Sequence, residues 1–139
     1  SKNEAKLYDE FVDFPTWFST LAIQDESVSY SDQKRIEGEE ALKLLSLKHN
    51  SIDKIQNLVS LPNLIYLDLT NNKISELENF QGMANLRVLI VGKNKLTRIK
   101  NLECLNKLEI LDLHSNLITN TEGLKPLLDL KYFFGNILE

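Results

Sequence analysis

Apolar residues fall along this chain in columns that return at a fixed interval. Leu42, Leu45, Leu47 and Ile52 surround Asn50, and the same order comes back as Leu64, Leu67, Leu69, Asn72 and Ile74. Two further copies read Leu86, Leu89, Val91, Asn94, Leu96 and Leu108, Leu111, Leu113, Asn116, Ile118. The asparagines stand 22 residues apart. The second half of each unit repeats as well: Ile55, Leu58, Leu61, then Leu77, Phe80, Met83, then Ile99, Leu102, Leu105, then Thr121, Leu124, Leu127, with only Thr121 breaking the apolar column. Spaced leucines alone are compatible with amphipathic helices, but a strict period of 22 with a fixed asparagine does not follow a 3.6-residue repeat.

Counting from Leu42, the fourth and sixth positions of each unit alternate with other residues, as on a short strand with one face in the core. One such coil cannot bury its own apolar side, so the copies must stack, and their strands then form a parallel sheet. The asparagine is expected to serve the turn after the strand. Its short amide can satisfy backbone groups that the bend leaves unpaired and can reach the neighbouring turn. A 22-residue coil leaves no room for a long helix on the return side, so short helical or 3₁₀ turns are expected there. Pro62 and Pro126 suit them.

These columns resemble the leucine-rich repeat family, in the 22-residue subclass typified by a regulatory subunit of protein phosphatase 1. Three stretches are further similar to the leucine-rich-repeat subunit of the tubulin polyglutamylase complex: Ile36-Glu37-Gly38-Glu39 leading into Leu42-Lys43-Leu44-Leu45, Leu86-Arg87-Val88-Leu89 through Gly92-Lys93-Asn94, and Leu111-Asp112-Leu113-His114. The resemblance implies an α/β fold: a right-handed solenoid with a concave parallel sheet and short helical or 3₁₀ turns on the convex side. It also implies a non-enzymatic adaptor in a cytoskeletal or ciliary, tubulin-modifying complex. Alternatives are a phosphatase regulatory subunit and a structural subunit of a ribonucleoprotein. No catalytic residue comes with the likeness.

Three segments follow. Residues 42–129 hold the four repeats. Residues 1–41 are the expected N-terminal helical cap, since an end coil would otherwise expose its core edge. Leu7, Phe11, Phe14, Phe18 and Leu21 recur there at spacings of three and four, with Pro15 ending or kinking the helix and Trp17 beside the first coil. A partner-binding helix is the alternative use of those aromatics. Residues 130–139 start a fifth copy at Leu130 and Phe133, but Gly135 stands where a core leucine belongs and Leu138 where the asparagine belongs. That end is either an irregular cap or a chain cut within the solenoid.

Composition narrows the function. The chain has 139 residues, suited to a single domain, and its 42% apolar and 26% charged residues are those of a packed globular protein. Its net charge of −4 disfavours direct nucleic-acid binding, which needs a basic surface. Four basic residues face ten acidic ones before residue 42, so the repeats are the more basic part. Cys104 is the single cysteine, which rules out an internal disulfide and points to a reducing, cytoplasmic setting. It reads as a structural thiol, with a redox role as the alternative. No 18-residue apolar run, secretory leader or lipidation signal is present, so no membrane partner is expected.

Active-site chemistry finds little support. His49 and His114 lie three coils apart, about 14 Å at the spacing of paired strands, too far to share a metal ion. Asp68 and Asp112 lie two coils apart, about 10 Å, with Ile90 between them and no implied cleft, which disfavours a carboxylate-pair hydrolase. The five glycines are scattered and form no phosphate loop. No enzyme activity, metal or cofactor is expected. What remains is a surface. The concave candidates are Leu44, Tyr66, Val88, Ile110 and, from the partial fifth copy, Tyr132 in the third place, Ser46, Asp68, Ile90 and Asp112 in the fifth, and His114 in the seventh. An exposed apolar row with a polar rim suits a protein partner, although β-propensity alone also favours such residues on strands. A candidate basic rim, Arg87, Lys93, Lys95 and Arg98 with Lys73 and Lys100, would steer an acidic partner; a plain solvated rim is the alternative.

Overall fold

A computed structural model describes residues 22–24, 43–56 and 61–136. It contains one six-stranded parallel sheet whose strands are arranged in chain order. The strands are β1 (Ala22–Gln24), β2 (Leu44–Ser46), β3 (Tyr66–Asp68), β4 (Val88–Ile90), β5 (Ile110–Asp112) and β6 (Tyr132–Phe134). Each strand has three residues and pairs with the next in a register advanced by one repeat: Leu44 opposite Tyr66, Tyr66 opposite Val88, Val88 opposite Ile110, Ile110 opposite Tyr132. Parallel neighbours in chain order mean that the chain makes one full coil between successive strands. The fold is a leucine-rich-repeat solenoid.

The side-chain period of two explains where the leucines go. Leu45, Leu67, Leu89 and Leu111, with Leu47, Leu69, Val91 and Leu113, point inward into one continuous buried core. The return-side columns Ile55, Leu77, Ile99 and Leu61, Met83, Leu105 close that core from the convex side. Tight turns hold these columns: the N–H of Met83 donates to the Phe80 carbonyl, that of Leu86 to Met83, and that of Leu105 to Leu102, each at 3.0 Å. This three-residue reach is the 3₁₀ pattern expected for so short a coil. Among the described residues it becomes a 3₁₀ helix at Glu122–Leu124. Thr121, which interrupts the apolar column, is exposed at the start of that helix.

The asparagines do what the turn requires. The Asn72 amide donates to the carbonyls of Leu69, at 2.9 Å, and of Leu47 in the preceding coil, at 3.1 Å. Its Oδ1 accepts from the N–H of Ile52 at 3.0 Å. Asn94 and Asn116 repeat the arrangement, accepting from Ile74 and Leu96, so each side chain rivets two coils together. Just before each asparagine the backbone turns left-handed, at His49, Asn71, Lys93 and Ser115, with φ of 60, 58, 53 and 56°. A second ladder runs on the return side. Asn79 and Asn101 are also left-handed, and their amides donate to the carbonyls of Ile55 and Leu77 in the previous coil. Gly123 holds the equivalent place in the next coil, where a Cβ would lie 1.8 Å from the Ile99 carbonyl oxygen. Here the backbone itself occupies the space an asparagine fills elsewhere.

Both ends differ from a plain reading of the template. Ala22–Gln24, within the segment expected to be a helical cap, is a strand paired with β2, Ala22 opposite Leu44. In sequence Ile23 stands in the Leu45 column, while Asp25 and Val28 stand where the second core residue and the asparagine belong. The apolar helical pattern from Leu7 to Leu21, including Trp17, lies outside the described residues. At the other end β6 extends the sheet in unbroken register, and Leu130 and Phe133 pack against the core. The missing leucine at Gly135 is explained by space: a Cβ there would meet the Phe133 ring at 2.6 Å. Ile137 and Leu138 lie outside the described residues.

Candidate functional site

The concave side of the sheet carries the third, fifth and seventh places of each repeat. The structure brings Leu44, Tyr66, Val88, Ile90 and Ile110 into one apolar cluster, separate from the main core and flanked by Tyr132 and Phe134. Register aligns Leu44, Tyr66, Val88 and Ile110, each directly beside its counterpart on the next strand, while Ile90 stands between Asp68 and Asp112. One expectation is corrected. The row was expected to be exposed, yet Leu44, Tyr66, Val88 and Ile110 are 0%, 4%, 2% and 1% accessible. Close lateral spacing in a parallel sheet accounts for part of this shielding.

Polar residues beside the row are equally buried. Asp68 Oδ1 accepts from the Thr70 N–H at 2.9 Å and from the Thr70 hydroxyl at 2.6 Å, and the Tyr66 hydroxyl lies 3.4 Å from Oδ2. Asp112 repeats the motif with His114: Oδ1 accepts from the His114 N–H at 3.0 Å and lies 2.7 Å from Nδ1. Gly92 makes this possible, since a Cβ there would sit 2.2 Å from the His114 ring. Ser46 Oγ, Asp112 Oδ2 and His114 Nε2 are buried without a hydrogen-bond partner among the described residues. Asp68 and Asp112 remain on separate strands with Ile90 between them.

The basic residues do not form one patch. Arg87 precedes β4 and is paired with Glu109, which also binds Lys131 Nζ at 2.7 Å. Burial alone would push the Glu109 carboxyl up, but hydrogen bonds and charge from Arg87 and Lys131 hold it below its ordinary value of 4.5. An open groove of about 580 Å³ runs along this edge, and its charges largely compensate one another. Lys93 and Lys95 follow β4 at the opposite end of the strand and are exposed, as are Lys73 and Arg98. Lys100 lies 3.5 Å from Glu76. A single basic rim is therefore corrected to two groups at opposite strand ends, one of them internally paired.

Other candidate chemistry stays dispersed. His49 bonds Asn71 at 2.9 Å on the exposed turn and does not meet His114. Among the described residues no group of three or more His, Cys, Asp or Glu side chains is placed to hold a metal ion, and no helix is long and apolar enough to cross a membrane. Cys104 is partly buried against the core, and burial, aided by the Glu103 charge, pushes its thiol up.

The family profile described as Leucine Rich repeats (2 copies) matches residues 40–82 and 84–126, together more than half of the chain. The chain belongs to the leucine-rich repeat family. No match was found among curated proteins. Two internalins of Listeria monocytogenes str. 4b F2365 are similar in structure. Internalin C2 is 28% identical with a TM-score of 0.69, the match covering 80% of this chain and 53% of that one. The internalin inlF is 30% identical with a TM-score of 0.67, covering 76% and 32%. The chain thus spans about half or less of these relatives. Leucine-rich repeats of this kind generally act in protein–protein interaction, which agrees with a face built from aligned side chains.

Proposed function

We propose that the chain is a non-enzymatic docking scaffold whose concave face receives a protein partner, and that it serves as an adaptor in a cytoplasmic, cytoskeletal or ciliary complex that modifies tubulin. The observation that carries the docking face is its composition: one apolar cluster beside buried polar atoms that have no partner among the described residues. Buried donors and acceptors are ordinarily paired, so unpaired ones ask for a counterpart, whether an ordered water or a group of another molecule. The tubulin-modifying setting is supported by the likeness of the three stretches quoted above.

Co-expression with the other subunits of a tubulin polyglutamylase, and separately with a phosphatase 1 catalytic subunit, tests the assignment. Stoichiometric co-purification with the polyglutamylase alone is expected. Retention of the phosphatase alone would transfer the scaffold to the phosphatase-regulatory reading, and retention of neither would remove the tubulin setting.

A further inference from the structure

We infer that the Asp112–His114 pair is an anchor for an arginine side chain of a protein partner, an inference that rests on the concave face being the docking surface. The two side chains are 0% and 8% exposed. Asp112 Oδ1 is occupied by the His114 N–H and ring, while Oδ2 and His114 Nε2 have no partner among the described residues. A carboxylate can only accept, so His114 Nδ1 donates its hydrogen to Asp112 Oδ1 and leaves Oδ2 as an open acceptor. The pair therefore offers a buried carboxylate oxygen that asks for a donor.

The contrast with β3 shows that this vacancy is local. Asp68 occupies the same place two coils earlier, and its Oδ2 is approached by the Tyr66 hydroxyl. On β5 the residue in the tyrosine's place is Ile110, which has no donor. Among the described residues, no lysine or arginine occupies the third, fifth or seventh places of the coils carrying β4, β5 and β6. The third unpartnered atom, Ser46 Oγ, is three strands away, about 14 Å, and belongs to a different point on the face.

Arginine suits these surroundings better than lysine. The register partners of Asp112 are Ile90 on β4 and Phe134 on β6, which place an apolar wall on one side and an aromatic ring on the other. A guanidinium stacks on aromatic faces, is weakly hydrated and brings several N–H donors in a fixed plane, while its stem packs on aliphatic groups.

The test uses the full chain and two peptides, acetyl-Leu-Arg-Tyr-amide and its citrulline counterpart, which keeps the shape and loses the charge. Nitrogen-15 NMR of the imidazoles reads the site, with His49 as the internal reference and His114→Gln assigning the signals. The arginine peptide is expected to shift the His114 Nε2 signal and leave His49 unmoved, and citrulline to bind at least about tenfold more weakly, the scale of one charge-assisted contact. Asp112→Asn should abolish the shift, and Ile110→Tyr, which supplies a hydroxyl of the chain's own, should weaken it. Equal binding of the two peptides, or no change at His114, overturns the anchor without requiring any variant to fold. If concave variants still lose the protein partner in that case, the docking surface stands and only the arginine assignment falls.

Discussion

Replacing Asn94 by alanine should destabilise the solenoid far more than the same change at Asn50, although both residues hold the same place in the repeat. Asn94 Nδ2 donates to the carbonyls of Leu69, Gly92 and Val91, and Oδ1 accepts from the Ile74 N–H. Each carbonyl keeps another donor when Asn94 is lost: Asn72 for Leu69, the Asn71 N–H for Gly92 and Asn116 for Val91. The Ile74 N–H does not, and Ile74 is 0% exposed, so water cannot take over. A bare buried donor costs about 1–3 kcal/mol, and weakening of the shared bonds brings the total to about 2–4 kcal/mol. Among the described residues Asn50 donates to the Leu47 and Lys48 carbonyls only. Leu47 is also bonded by Asn72, and Asn50 and Lys48 are half-exposed, so Asn50→Ala should cost under about 1 kcal/mol. Urea unfolding of both variants and the parent, with a shared m value, measures the difference. Equal losses would refute the claim that the asparagine acts by bonding the coil before it.

Three further outcomes follow from particular contacts. Gly92→Ala pushes a Cβ into the His114 ring and should cost about 1–3 kcal/mol; in a cycle with His114→Ala the double variant should lose clearly less than the sum, and additive losses would mean that the two do not touch. Glu109 is held below 4.5 in the fold, so its contribution is fully present above that pH and is lost as pH falls through the lower folded value; the stability gap between the parent and Glu109→Gln should stay constant near neutrality and close in acid, and a gap that widens in acid would contradict the Arg87–Glu109–Lys131 ladder. Burial and the Glu103 charge raise the Cys104 thiol, so maleimide labelling in the native protein should be slower than that of a free cysteine and faster in Glu103→Gln, whereas faster native labelling would mark a reactive thiol.

The period of 22 made the sheet, the inward leucines and the asparagine rivets legible, because stacking allows each residue type little choice of place. The β1 strand was hidden because Ala22–Gln24 keeps one core column and replaces the rest of the template with Asp25 and Val28. Three features were readable but went unread. Asn79 and Asn101 are one repeat apart; so are Arg87, Glu109 and Lys131; and so are Gly92 and His114. The last two become contacts once equal places are set side by side, while Asn79 and Asn101 each bond the coil before them. Burial of the concave row was not readable, since a strand pattern fixes which face a side chain joins and says nothing of what lies above that face. The basic cluster failed for a related reason: nearness in sequence put Arg87 and Lys93 together, while the strand between them sends them to opposite ends.

The central claim is that the concave face, and not the turn edge, receives the partner. The direct measurement is the affinity of the purified polyglutamylase assembly for three folded proteins: the parent, Tyr66→Ala with Val88→Ala, and Lys95→Glu with Arg98→Glu, each checked by circular dichroism and urea unfolding. Loss of binding by about tenfold or more in the concave variant, with the edge variant close to the parent, is the predicted result. Unchanged binding of the folded concave variant, with loss in the edge variant, would contradict it and move the docking surface to the exposed turns.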